Sequence, residues 1–297
     1  LDLNVPEGMS LGMVGESGAG KSQIFLAAMG LLARNGHASG SVRFRGTELL
    51  GAPTAALNRV RGRHIAMIFQ DPMTALNPYL KVSRQMTEVL VTHKGASERT
   101  ARRAALEMME RVRIPDARRR FDSYPHEFSG GMRQRVMIAM ALLAEPELVI
   151  ADEPTTALDV TVQAEIVALL AELRSAANTA IVLITHDLAV IAGLSERVAV
   201  VYAGRIVEEG SAEQIFYHPQ HPYTRGLLEA MPRLDQPGSG ELATIPGQPP
   251  DPLSLPPGCA YEARCAWRMP ECARERPALR DAGEGRLKAC HLERLEP

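Results

Sequence analysis

Three short groups of residues have the types and spacing to do chemistry on a phosphate. The first is Gly15-Glu16-Ser17-Gly18-Ala19-Gly20-Lys21-Ser22, which fits G-x-x-x-x-G-K-[ST]. Glycines 15, 18 and 20 let backbone N–H groups turn inward around an anion with no Cβ in the way. Lys21 would reach the outer phosphates and the Ser22 hydroxyl would ligate Mg²⁺. The second is Asp152-Glu153, which closes the apolar run Leu148-Val149-Ile150-Ala151. An aspartate at such a strand end suits Mg²⁺, and a carboxylate directly after it can deprotonate an attacking water. Two uncompensated charges there would be costly, which favours a role over chance. The third is Ser129-Gly130-Gly131, where a capping serine and two glycines leave helix-start donors open to an anion. By itself that stretch fits a ligand-free cap equally well.

These groups need strands and helices to hold them. Leu11–Val14 reads as a buried strand and Gln23–Leu32 as the helix behind the loop, so the motif sits between strand end and helix start. Ile65–Phe69 is a second buried strand, ending in Gln70-Asp71-Pro72. Ala180–Thr185 is a third, with His186-Asp187 at its end. Helices are expected over Ala52–Arg61, Val82–His93, Ala96–Val112, Met132–Leu143 and Val160–Ala177. Leu1–Val5 alternates like a strand before a turn at Pro6-Glu7-Gly8, and Ser41–Gly46 like an edge strand. Arg197–Tyr202, Ala203-Gly204 and Arg205–Glu209 read as a hairpin. Arginines 99, 102, 103, 111, 113 and 118 to 120 make one region basic, but Glu98, Glu107 and Glu110 interleave with them as on a solvated helix face.

At 297 residues the chain suits one large domain or two small ones. A net charge of −2 gives a nucleic-acid partner no support. No apolar run approaches the roughly 18 residues that span a bilayer, and no secretion leader is evident. A cytosolic chain is expected. It opens at Leu1 without an initiator Met, which reads as truncation upstream or a misassigned start.

With these residues in hand, the chain resembles the ATP-binding subunits of ABC transporters, specifically those of oligopeptide/dipeptide importers. The resemblance spans about residues 5 to 292. Gly15–Ser22 corresponds to Walker A, Gln70 to the Q-loop, Ser129-Gly130-Gly131 to the ABC signature and Ile150–Glu153 to Walker B. Ala157-Leu158-Asp159 corresponds to the D-loop and His186 to the switch histidine. Subfamily marks are Phe69–Pro78, Tyr124–Ala141 and His221-Pro222-Tyr223-Thr224. The implied fold is α/β: a phosphate-loop (RecA-like) core with a mostly parallel sheet, an inserted helical subdomain and a small cysteine-containing C-terminal extension. The implied division is an ATP-binding domain over 1–230, with its helical part at about 76–138, and the extension over 231–297.

The implied function is ATP hydrolysis that powers peptide import. Importers of nickel or another solute, and ABC ATPases outside transport, are the alternatives. Two such domains would pack head to tail with ATP between one phosphate loop and the other signature, so that Ser129 and Gly131 donate to the γ-phosphate of the partner's nucleotide. Gly15 to Ser22, Gln70, Asp152, Ser129 to Gly131 and Asp159 would form the ATP site, with Ser22, Gln70 and Asp152 around Mg²⁺. Glu153, His186 and Gln70 would be catalytic. The implied partners are membrane permease subunits, a second ABC ATPase subunit and, indirectly, an extracytoplasmic solute-binding protein. The implied place is the cytoplasmic face of the inner membrane. Met132 stands where many signatures carry Gln, a mark of one of two unlike ATPase subunits. The family's adenine-stacking aromatic would lie upstream of Leu1.

All four cysteines lie late, as Cys259, Cys265, Cys272 and Cys290, spaced C-x5-C-x6-C-x17-C. A cytosolic compartment argues against disulfides. Zinc ribbons favour C-x2-C pairs, so zinc is the alternative here and a [4Fe–4S] cluster the favoured reading. Subfamily members with this tail resemble cluster carriers. The tail has few apolar residues, so a structural staple is expected, with ATP binding independent of it.

Overall fold

The computed structural model describes residues 1–71, 75–155, 160–231 and 244–295. The chain begins with β1 (Ser10–Val14), α1 (Lys21–Ala28), a two-stranded hairpin β2 (Arg43–Phe44) and β3 (Thr47–Glu48), α2 (Thr54–Val60) and β4 (Ile65–Ile68). A helical stretch follows: α3 (Val82–Lys94), α4 (Glu98–Arg111), α5 (Ala117–Arg120) and α6 (Gly130–Leu142). Next come β5 (Leu148–Asp152), α7 (Val160–Ala177), β6 (Ala180–Thr185), α8 (Leu188–Leu194), β7 (Arg197–Tyr202) and β8 (Arg205–Ser211). The chain ends with α9 (Ala212–Tyr217), α10 (Pro222–Glu229), α11 (Pro270–Arg274), β9 (Arg280–Asp281) and β10 (Leu287–Lys288). These elements fall into two compact units, one of residues 1–4, 10–21 and 185–297, the other of 5–9 and 22–184.

In the second unit β4, β5 and β6 run parallel, paired from Ile65↔Leu148 and from Leu148↔Ala180 to Asp152↔Ile184. Their near-continuous apolar runs are those of strands covered on both faces. Val149, Ile150, Val182 and Ile184 are buried accordingly. The helical insertion has its own core of Val82 and Met86 on α3, Ala101, Ala105 and Met109 on α4, and Val136 and Ile138 on α6. The arginines expected on a solvated face form surface pairs: Arg102 with Asp122, Arg103 with Glu107 and Arg118 with Glu110. Arg135 is different. It is buried, donates to the Val112 carbonyl at 3.1 Å and pairs with Glu165 of α7.

In the first unit β1 lies parallel to β7, paired from Leu11↔Arg197 to Val14↔Val200. β7 turns into antiparallel β8 with a bulge at Val200/Val201, and β10 adds to β8 with β9 beyond it. The fold is thus α/β, with parallel strands at the expected places and helices inserted between β4 and β5. Two expectations need correction. Leu1–Val5 forms no strand, since no ladder partner is described for its backbone groups. The helix expected to reach Leu32 stops at Ala28, where Gly30 enters the left-handed region (φ +61°) and Leu31 N–H closes back on the Leu26 carbonyl at 2.7 Å. Among the described residues no helix is long and apolar enough to cross a membrane.

Candidate active site

The first unit carries the glycine-rich loop. β1 ends at Val14, and a Cβ on Gly15 would stand 2.1 Å from the Val201 carbonyl oxygen of β7, so only glycine fits that close approach. The loop turns through Gly18 (φ +79°) and Gly20 (φ +88°) and is tied to the β7–β8 turn by the Gly204 N–H on the Ala19 carbonyl at 3.0 Å. Lys21 is only 5% exposed and folds back over the loop, its Nζ donating to the carbonyls of Gly15 at 2.7 Å and Glu16 at 3.1 Å. A buried ammonium held by carbonyl dipoles is poised for a stronger anionic partner.

Glu16 is held from three sides. Its N–H donates to the Tyr223 hydroxyl at 2.8 Å, its carbonyl accepts from Lys21, and its carboxylate takes both terminal nitrogens of Arg264, each at 2.8 Å. Arg264 lies in an aromatic nest, 5.8 Å from the Tyr202 ring and 5.9 Å from that of Tyr261, and also donates to the Tyr202 hydroxyl at 3.2 Å. Burial pushes the phenols of Tyr202 and Tyr223 up, and that of Tyr261 to about 12, so all three stay neutral. The pairing with Glu16 raises the guanidinium further above its usual range. Neither Tyr223 nor Arg264 was expected at the loop. They lie far along the chain from Glu16, and no local pattern signals such contacts.

The second unit gathers the acidic groups. The Ser22 hydroxyl donates to Asp152 Oδ1 at 2.8 Å, which joins the end of the loop motif to the end of β5. Glu153 takes a positive φ of 45°, donates its N–H to the Ile184 carbonyl at 2.8 Å, and has its carboxylate Oε2 bonded by Gln70 Nε2 at 2.9 Å. Ser129 caps α6 as expected, accepting from the Met132 N–H at 3.3 Å. Ser129 and Gly130 are exposed, and Gly131 packs toward Val162 of α7. His186 follows β6 directly and is exposed. Asp159, with Ala157 and Leu158, lies outside the described residues.

The four cysteines line one cavity, together with Tyr261, Trp267 and His291. The Cys259 N–H reaches the Cys272 carbonyl at 2.7 Å, and a Cβ on Gly258 would stand 2.1 Å from that oxygen, so the two limbs approach closely. All four are free. Burial pushes the thiols of Cys259 and Cys290 up and that of Cys265 to about 11, with Lys288 and Arg280 opposing the rise at Cys290. The donor type therefore fits a thiolate-ligated centre, but the fit stops there. Among the described residues no three His, Cys, Asp or Glu side chains are gathered closely enough to hold a metal ion, and the cavity is about 10 Å³, room for one water.

Comparison with known proteins agrees with this geometry. Residues 1–156 match the family described as "ABC transporter", and residues 207–272 that described as "Oligopeptide/dipeptide transporter, C-terminal region". The chain is 56% identical to the oligopeptide transport ATP-binding protein OppD of Haemophilus influenzae, covering 98% of this chain and 90% of that protein. It is 48% identical to the dipeptide transport ATP-binding protein DppD of Bacillus subtilis, over 99% of this chain and 88% of that protein. Among solved structures it is similar to the ATP-binding cassette MJ0796 in a dimeric post-hydrolysis state bound to ADP and Pi. There the TM-score is 0.63 and the identity 29%, over 71% of this chain and 88% of that one.

Proposed function

The chain belongs to the ABC transporter family, and we propose that it is the ATP-hydrolysing subunit that powers import of di- and oligopeptides through a membrane transporter. The observation that carries this is the 2.8 Å hydrogen bond from Ser22 to Asp152. Two groups expected to ligate one ion stand together there, although 130 positions separate them. Mg²⁺ held by Ser22 and Asp152, with Gln70 near, would neutralise charge on the terminal phosphates. Lys21 would release its carbonyl partners for the same phosphates. Glu153, steadied by Gln70, is the base for the attacking water, and exposed His186 is available to the γ-phosphate. Exposed Ser129, with Gly131 two residues on, suits donation to a nucleotide bound mainly by a second ATPase subunit, so the working form is a dimer at the inner face of the membrane, beneath permease subunits. Asp159, outside the described residues, stays a candidate for the ATP site. Peptide is the solute supported by the match of residues 207–272 and by the names of the relatives.

The finer reading of the tail is that Cys259, Cys265, Cys272 and Cys290 hold a [4Fe–4S] centre rather than zinc. What supports it is the donor type: four thiols line one cavity. The cavity must widen to admit the cluster.

Glu153→Gln tests the hydrolytic reading. The variant is expected to bind MgATP as the unaltered chain does and to lose turnover by about 100-fold or more. Lys21→Ala should instead lose the binding itself. Full turnover in the Glu153→Gln chain removes the base assignment. Uptake of a labelled dipeptide by cells lacking the native subunit, restored by this chain and not by Glu153→Gln, tests the solute.

A further inference from the structure

A carboxylate beside a loop built for a polyanion is an electrostatic liability. Glu16 is the second residue of the phosphate loop, and its negative charge works against every phosphate the loop receives. The structure answers with Arg264, which takes both carboxylate oxygens at 2.8 Å from a site where its own side chain is 5% exposed. A guanidinium buried so deeply needs such a partner, and the planar fork gives it one with two bonds. The aromatic rings of Tyr202 and Tyr261 and the Pro246 carbonyl, which accepts from Nε at 2.9 Å, hold the fork in place. The same C-terminal stretch walls the loop elsewhere. A cavity of about 600 Å³ is lined by Glu16–Gly20 and, from this stretch, by Pro249, Pro250, Asp251, Pro252 and Leu255.

We propose that Arg264 is a positioning residue of the phosphate loop: it cancels and fixes the Glu16 charge, so that residues 249–264 complete the nucleotide site. The proposal rests on the ATP-binding reading above and adds to it the element that keeps the loop electropositive. The Tyr223 hydroxyl on the Glu16 N–H and the Gly204 N–H on the Ala19 carbonyl hold the loop backbone independently, so removal of Arg264 leaves the loop in place with its carboxylate uncompensated.

The test uses the full chain, with MgATP and AMP titrated by isothermal calorimetry. Arg264→Gln is expected to raise the Kd for MgATP about tenfold, with a smaller effect on AMP, and less so in high salt. Adding Glu16→Gln to that variant should return the Kd to within about threefold of the unaltered chain, which lost packing alone would not do. Glu16→Gln by itself should bind MgATP more tightly, because the guanidinium remains without its counter-charge. This variant keeps the test open should Arg264→Gln not fold. An unchanged Kd in Arg264→Gln, no rescue by the second substitution, or binding no tighter in Glu16→Gln alone overturns the proposal. Lys21→Ala is the control. If the unaltered chain binds MgATP and Lys21→Ala does not, any failure belongs to Arg264. If the unaltered chain binds none, the nucleotide reading falls and takes this proposal with it.

Discussion

His221 shows how much one side chain can carry outside the chemistry. It is 1% exposed and caps α10, its Nδ1 accepting from the Tyr223 N–H at 3.1 Å, so it indirectly seats the hydroxyl that holds Glu16. Burial, aided by Lys288, lowers its pKa to about 3. Protonation would replace the accepting lone pair with a second N–H aimed at a donor. The unfolded chain binds that proton near pH 6.5 and the folded chain near 3, so stability rises with pH across this window and is lost as pH falls from about 6.5 towards 3. Glu208 opposes it: it accepts from the N–H groups of Gln220 and His221, faces Arg286, and is raised by burial, so its effect has the other sign above its ordinary value. His221→Asn keeps a capping oxygen and removes the titration. Urea midpoints should show it about 1 kcal/mol less stable at pH 7, with the gap closing below pH 5. Parallel acid profiles would mean that His221 is not the group lost. The run His221 to Thr224 stood out in the sequence as a family mark, but its burial did not, because the residues that cover it come from β8 and the tail.

At the scale of elements, periodicity placed most of what matters. Val160–Ala177 was legible to the residue, and α3, α4 and α6 to within two residues, because long amphipathic or apolar runs leave little choice. The short helices α8, α9 and α10 were not read, since six to eight residues give too few turns for a period. Their stops and starts are written in caps instead. Ser211 and Gln214 form a reciprocal box at the head of α9, with N–H to Oγ at 3.1 Å and N–H to Oε1 at 2.9 Å. At its other end Arg286 donates to the carbonyls of Gln214 and His218, so a six-residue helix is held at both termini. Ser211→Ala should cost about 1 kcal/mol in chemical denaturation and leave the MgATP affinity unchanged. A change in affinity with no loss of stability would place α9 in the nucleotide machinery rather than in its support. The candidate site divides along the same line. Walker A, Walker B, the capping serine and Gln70 announce themselves as local words, whereas the contacts that steady them, such as Tyr223 and Arg264 on Glu16, join distant parts of the chain and cannot be read locally.

Over the whole molecule, the open matter is what makes the C-terminal segment fold. Among the described residues its regular structure amounts to two two-residue strands, one short α-helix and a 3-10 turn (Glu262–Arg264), and its buried apolar side chains are few: Tyr261, Cys272, Ala289 and Cys290. Such a segment gains too little from burial to offset its chain entropy and needs a staple. Part of that staple is visible: β10 on β8, Arg286 on α9, and Arg264 on the phosphate loop. The sequence suggested a tail independent of ATP binding, but Arg264 precedes Cys265 directly and ends in the loop. Removing the Cys265 thiol should therefore be felt at the nucleotide. Anaerobically purified chain is expected to be brown and to contain iron and inorganic sulfide in preference to zinc. Cys265→Ser should lose the colour, speed proteolysis after about residue 244, and weaken MgATP binding in the same direction as Arg264→Gln. Stoichiometric zinc without iron would assign the thiols to a zinc site. Neither metal, with a protease-resistant tail and unchanged nucleotide affinity, would show that burial and the three protein contacts suffice and that the cysteines are ordinary buried thiols.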